Sequence, residues 1–205
     1  LCLHDKTKML LVDGPAGSAK TFLAAKAGLT LLKEKKVDQI IYIRSIVESA
    51  SKSIGALPGE IDEKFKPWSM PLLEKLNELI PAAASTRLFE REAIKCIPVN
   101  FVRGLTFHNS FVIVDEAQNL TKEELITILT RFGQYSKYVV IGDTFQRDIG
   151  SHSGFMHVWH RFNDEESQNV GIHTAKFTEH EIVRSPILKR SEEHTSELQS
   201  HHVIS

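Results

Sequence analysis

Lys8 to Lys33 reads KMLLVDGPAGSAKTFLAAKAGLTLLK. Lys8 to Asp13 is a short apolar run ending at a glycine, and from Thr21 to Lys33 the residues Phe22, Leu23, Ala27, Leu31 and Leu32 recur at helical spacing. The stretch predicts a strand, a tight turn and a helix. Between strand and helix, GPAGSAKT follows the pattern G-x-x-x-x-G-K-[ST] except at Ala19, which stands in the second glycine position. In that pattern backbone N–H groups wrap a β-phosphate, the lysine reaches the β- and γ-phosphates, and the hydroxyl binds magnesium. The nucleotide-holding set is therefore Gly14, Pro15, Ala16, Gly17, Ser18, Ala19, Lys20 and Thr21. By itself the loop also reads as a glycine-containing turn between a strand and a helix. Ala19 adds only a methyl group, which α-region backbone tolerates, whereas a positive φ there costs about 1 kcal/mol. Gly17 still supplies a flexible point.

Three further runs repeat the strand signal: Asp38 to Arg44 (DQIIYIR), Asn109 to Asp115 (NSFVIVD) and Lys137 to Gly142 (KYVVIG). Continuous apolar strands of this kind are buried on both faces. A helical stretch lies between Val114 and Lys137, its start marked by Thr121 with Glu124 three residues on, the S/T-x-x-E pattern of a capping box. The alternation predicts an α/β fold, a mostly parallel sheet with helices on both faces. Such a sheet binds ligands beyond the carboxyl ends of its strands.

The chemically suggestive residues fall at those ends. FVIVDEAQ, Phe111 to Gln118, is an apolar strand ending in two carboxylates. Asp115 is placed to hold magnesium, one strand over from the loop, and Glu116 to polarise an attacking water. The alternative is an acidic strand end that faces solvent or caps the next helix. In VVIGDTFQRD, Val139 to Asp148, Gln146 lies beyond the strand tip, where an amide contacts a γ-phosphate or orients the lytic water. Asp143 alone also reads as a turn residue.

With these elements, the segments GPAGSAKT, IRSIVESASKSIGALPGEIDEKFKPW, FVRGLTFHNSFVIVDEAQNLT, LTRFGQYSKYVVIGDTFQRDIG and EIVRSPILKR resemble the PhoH-like family of phosphate-starvation-inducible ATPases, phage-encoded members in particular. The resemblance runs from about Met9 to Lys189. It implies a P-loop NTPase fold akin to the RecA-like core of superfamily one helicases, with Mg2+-dependent ATP binding and hydrolysis. Residue by residue, it implies Gly14, Gly17, Lys20 and Thr21 for phosphates and metal, Asp115 for magnesium, Glu116 as catalytic carboxylate and Gln146 as γ-phosphate sensor. Arg184 matches a family arginine that completes a site, in a neighbouring subunit if the chain is a homo-oligomer such as a ring, although a helix-surface ion pair is an equal reading. Arg103 is a candidate for nucleotide or RNA contact. RNA or single-stranded DNA as partner is likewise an implication of the resemblance. Two departures stand out: Ala19 where the family has glycine, and a chain that begins too late to show adenine-holding residues before the loop.

Ser45 to Pro98 interrupts the sheet pattern with Pro58-Gly59, Pro67 and Pro71 and reads as a helix-rich insertion. Arg44, Lys64, Lys66 and Trp68 have the composition of a single-strand stacking platform, but the favoured reading of Phe65 and Trp68 is as core residues of a helix packing on the sheet.

The 205 residues are 41% hydrophobic and 25% charged, enough for one substantial core, and the formal net charge of -1 gives no global basic field. Cys2 and Cys96 have neither metal-ligand spacing nor a disulfide framework, which suits a reducing cytoplasm. No apolar run reaches a membrane-spanning length and no secretory signal is visible, so a cytoplasmic location is expected. The chain opens on Leu1, and Arg190 to Ser205 (RSEEHTSELQSHHVIS) resembles an adapter sequence translated in frame. The expected organisation is one ATPase domain over 1–189, truncated at its N-terminus, and a non-native or disordered tail over 190–205. The tail's other reading is a weak metal site around His194, His201 and His202. Two functional alternatives accompany ATP hydrolysis: a nucleotide-gated binding module slowed by Ala19, and a small-molecule kinase. The acid pair with Gln146 argues against the kinase, because it suits activated water.

Overall fold

The strand residues point alternately to two cores, and that alternation sets the architecture of the computed structural model, which describes residues 1–45, 61–144 and 153–178. Six strands form one sheet: β1 (Met9–Asp13), β2 (Gln39–Arg44), β3 (Ile94–Pro98), β4 (Ser110–Asp115), β5 (Lys137–Gly142) and β6 (Ile172–Lys176). Their order across the sheet is β3-β2-β4-β5-β1-β6, and every pairing between neighbours is parallel.

On one face Leu11, Ile41, Ile43, Val112, Val114, Tyr138 and Val140 pack against Leu125 and Ile128 of α4 (Lys122–Leu129) and Phe155 and Val158 of α5 (Gly154–Arg161). On the other, Leu10, Val12, Ile40, Tyr42, Phe111, Ile113, Val139 and Ile141 meet Ala24, Ala25 and Leu31 of α1 (Lys20–Lys33) and Leu72 and Leu76 of α2 (Ile61–Leu79). Because successive residues of a strand face opposite ways, four central strands buried on both sides must read as unbroken apolar runs. Helices therefore cover both faces, as the alternation of strand and helix predicts. The predicted capping box starts α4: Thr121 Oγ1 accepts from the Glu124 N–H at 3.2 Å, and Glu124 Oε2 accepts from the Thr121 N–H at 2.9 Å.

Three features differ from the sequence expectation. β5 lies between β1 and β4, so the acidic strand is two places from the strand that leads into the glycine loop rather than beside it. The helix-rich segment contains α2 and α3 (Ala82–Glu90) but closes with β3, which extends the sheet at its edge. β6, pairing only with β1, forms the opposite edge and carries the polar sequence IHTAK. Edge strands are half covered and need no continuous apolar run, so IKCIP and IHTAK lack the signature of the central four.

Candidate active site

Between β1 and α1 the chain must reverse direction while turning its amides inward, and two residues do so with left-handed backbone. Gly17 has φ 77 and Ala19 has φ 57 and ψ 20. The first suits glycine; the second puts a methyl group in the region that disfavours a Cβ, at a cost of about 1 kcal/mol. Ala19 is the N-cap of α1 and has no side-chain capping bond. At the loop entrance, a Cβ on Gly14 would lie 2.7 Å from the Phe177 Cβ, so only glycine passes there.

Lys20 Nζ donates to the carbonyls of Gly14 at 2.6 Å and Pro15 at 2.7 Å, and to Ser18 Oγ at 3.3 Å. The loop thus wraps its own ammonium group, and phosphate oxygens can take over those acceptor positions. Burial lowers the Lys20 pKa, opposed by the negative field of Asp143, Glu116, Asp115 and Asp13.

Across the cleft, Asp115 at the tip of β4 is 4% exposed. Thr21 Oγ1 donates to both of its carboxylate oxygens, at 3.1 and 3.2 Å. The Tyr42 hydroxyl donates to Oδ2 at 2.7 Å, and the Glu116 N–H donates to Oδ1 at 3.1 Å. A strand end that merely faces solvent is excluded by this burial and by contact with a residue 94 positions away in sequence.

Glu116 follows with φ 52, another left-handed non-glycine residue, and begins a 3-10 turn over Ala117–Asn119 without capping it by its side chain. Its carboxylate accepts from Gln118 Nε2 at 2.6 Å and has Arg44 3.8 Å away. Burial chiefly, and Asp115 next, raise the Glu116 pKa, while Gln118, Arg44 and Lys20 pull it down. A carboxylate held above its ordinary range beside charged neighbours suits proton acceptance from water. Gln118 Oε1 also accepts from the Asp143 N–H at 3.1 Å, tying the acid pair to the end of β5.

These groups surround a cleft of about 940 Å³ at the carboxyl ends of the strands, lined by the loop from Ala16 onward, Asp115, Glu116, Gln118, Asp143 and Phe177. Its size falls in the range that takes a nucleotide-sized ligand. Lys75 and Glu78 of α2, ion-paired at 2.5 Å, line it from the side. Lys20, Thr21, Asp115 and Glu116 are thus brought together as the sequence predicts. Gln146 and Arg184 lie outside the described residues, as do the His-bearing tail and the side chains of Lys64, Phe65, Lys66 and Trp68. Arg103 is exposed on the segment after β3.

Sequence reasoning assigned no role here to Tyr42, Gln118, Asp13 or, at Glu116, to Arg44. One signal was available: in DQIIYIR, Tyr42 and Arg44 share a strand face and end in polar groups.

A hydroxyl touching a carboxylate is a hard-oxygen donor pair of the kind magnesium takes. Among the described residues no group of three or more His, Cys, Asp or Glu is arranged to hold a metal.

No helix among the described residues is long and apolar enough to cross a membrane. A family model described as PhoH-like protein matches residues 2–195. The PhoH-like protein of Synechocystis is 38% identical over 189 residues, covering 91% of this chain and 55% of that protein. Similar relatives include the Bacillus subtilis PhoH-like protein, 35% identical over 179 residues and covering 86% and 54% of the two chains. Protein PhoH of Escherichia coli is 34% identical over 191 residues, covering 91% and 52%. The chain spans about half the length of these relatives. A glycine loop resting on an acidic strand tip, at the carboxyl end of a parallel sheet with helices on both faces, agrees with a match over nearly the whole chain: it belongs to the PhoH-like family and has the α/β fold of a P-loop NTPase core.

Proposed function

We propose that the protein is a magnesium-dependent ATPase. The observation that carries this reading is the contact of Thr21 with Asp115 at 3.1 Å, which sets the loop hydroxyl and the strand-end carboxylate at one point with Glu116 adjoining. Lys20 exchanges its loop carbonyls for β- and γ-phosphate oxygens, and the loop amides hold the β-phosphate. Thr21 and Asp115 would hold magnesium, which when bound neutralises charge on the β- and γ-phosphates. Glu116 accepts a proton from the water that bonds to the γ-phosphorus; the bond from that phosphorus to the β,γ-bridging oxygen breaks, and ADP and phosphate leave. Gln118 keeps the Glu116 carboxylate aimed and stabilises its charged form.

The proposal extends to Gln146 as γ-phosphate sensor, to Arg184 acting from a neighbouring subunit of a homo-oligomer, and to cytoplasmic action on RNA or single-stranded DNA. The exposed Phe101 and Arg103, two residues apart in sequence, support the nucleic-acid partner, since an exposed aromatic and a cation suit a stacked base and its phosphate.

The positive φ of Ala19 favours a second reading, a nucleotide-gated binding module whose strained loop turns over little. Measurement of ATP turnover with and without single-stranded RNA, beside Lys20→Ala, separates the two. Turnover abolished by that change supports the ATPase. Tight ATP binding with no turnover sinks it in favour of the module.

A further inference from the structure

Tyr42 stands on β2, 1% exposed, in the core between the sheet and helices α1 and α2. Its ring belongs to that hydrophobic core, yet its hydroxyl reaches Asp115 Oδ2 at 2.7 Å, the shortest of the hydrogen bonds to that carboxylate. A buried phenol without a partner costs desolvation energy, and a buried carboxylate needs donors on both oxygens. The two requirements meet in one bond linking positions 42 and 115.

The other donors to Asp115 stand farther off, at 3.1 to 3.2 Å. The Thr21 hydroxyl has one proton to share between both oxygens, while its lone pairs stay open to a metal. The Glu116 N–H holds only Oδ1. Tyr42 is thus the closest donor to Oδ2 among those found for this carboxylate, at 2.7 Å against 3.2 Å for Thr21. Without it the carboxylate loses its closest donor and is held less firmly about its terminal torsion, which is broad for aspartate.

We infer that Tyr42 is a positioning residue whose hydroxyl fixes the Asp115 carboxylate for magnesium and so sets the Mg2+ affinity of the nucleotide-bound protein. The inference rests on the magnesium-dependent nucleotide reading above. It assigns Tyr42 no contact with nucleotide or metal. Removal of a group that orients a metal ligand commonly weakens metal binding by about 10- to 100-fold.

The test is a Mg2+ titration of a fluorescent, non-hydrolysable ATP analogue bound to wild type and to Tyr42→Phe, which keeps the ring and removes only the hydroxyl. The midpoint for Mg2+ should rise at least about tenfold in the variant, while analogue affinity in EDTA stays the same. An unmoved midpoint overturns the inference. So does an equal loss of analogue binding with and without Mg2+, which would make Tyr42 a packing residue only. If wild-type binding itself ignores Mg2+, the ATPase reading falls as well. A wild type that responds to Mg2+ beside an unmoved variant overturns the inference alone.

Discussion

Thr144 binds Asp13 twice, through its N–H to Oδ1 at 3.1 Å and through its hydroxyl to Oδ2 at 3.2 Å, across 131 residues of sequence. Asp13 is the last residue of β1 and Thr144 follows the end of β5, so the pair fastens the entrance of the glycine loop to the segment leading toward Gln146. Asp13 is nearly buried and has the mostly exposed Lys176 3.9 Å away. Asp13→Ala leaves Thr144 without its acceptors and should lower stability by about 1 to 3 kcal/mol; Thr144→Val, which loses one bond, should cost about 1 kcal/mol. Urea unfolding at neutral pH checks both, and equal stability of all three proteins would refute the strap.

Ala19 tests whether the loop is under strain. Ala19→Gly removes a methyl group from left-handed backbone and should raise stability by about 1 kcal/mol, less the extra chain entropy of glycine. Ala19→Val, β-branched at the same φ, should lower it. If the methyl group also slows the loop, ATP turnover rises severalfold in Ala19→Gly, whereas unchanged turnover marks the alanine as a tolerated variant.

Glu116→Gln keeps the shape of the side chain and removes the proton acceptor. Turnover should fall by about a hundredfold to ten-thousandfold with nucleotide affinity retained. Gln118→Ala removes the 2.6 Å bond to Glu116 and the link to the Asp143 N–H, so it should reduce kcat while leaving nucleotide binding intact. A loss of binding in either variant would place these side chains in ground-state recognition.

Cys96, on edge strand β3, has its thiol pushed up by burial to about 12 from 9.0. The folded thiol then holds its proton where the unfolded one loses it. Its stability contribution is full below pH 9.0 and is lost as pH rises from there through about 12. The loss amounts to at most about 1.4 kcal/mol per pH unit in that window. Cys96→Ala should flatten this part of the alkaline decline, read as urea midpoints at pH 8 and 10.5; parallel declines would show that the thiol ionises freely in the fold.

The glycine loop, the acid pair and the capping box were legible because each is written in neighbouring residues. Four buried strands stood out for a related reason: coverage on both faces leaves an unbroken apolar run. β3 and β6 escaped because one covered side asks for less, and Lys95 or His173 fits an edge. The insertion of β5 between β1 and β4 is a matter of pairing, on which no local run bears. Tyr42 and Asp13 were hidden likewise, since their partners are Asp115 and Thr144 and their chemistry appears only when the register is known.

The strand order has a mechanical consequence. Because β5 stands between them, β1 and β4 share no ladder of amide bonds, and the loop meets the acidic tip through the side chains of Thr21 and Asp115. A ligand that parts this clasp breaks no rung of the sheet. The framework can stay rigid while the catch opens and closes, so a ligand entering there would cost the molecule a side-chain contact and not a piece of its scaffold.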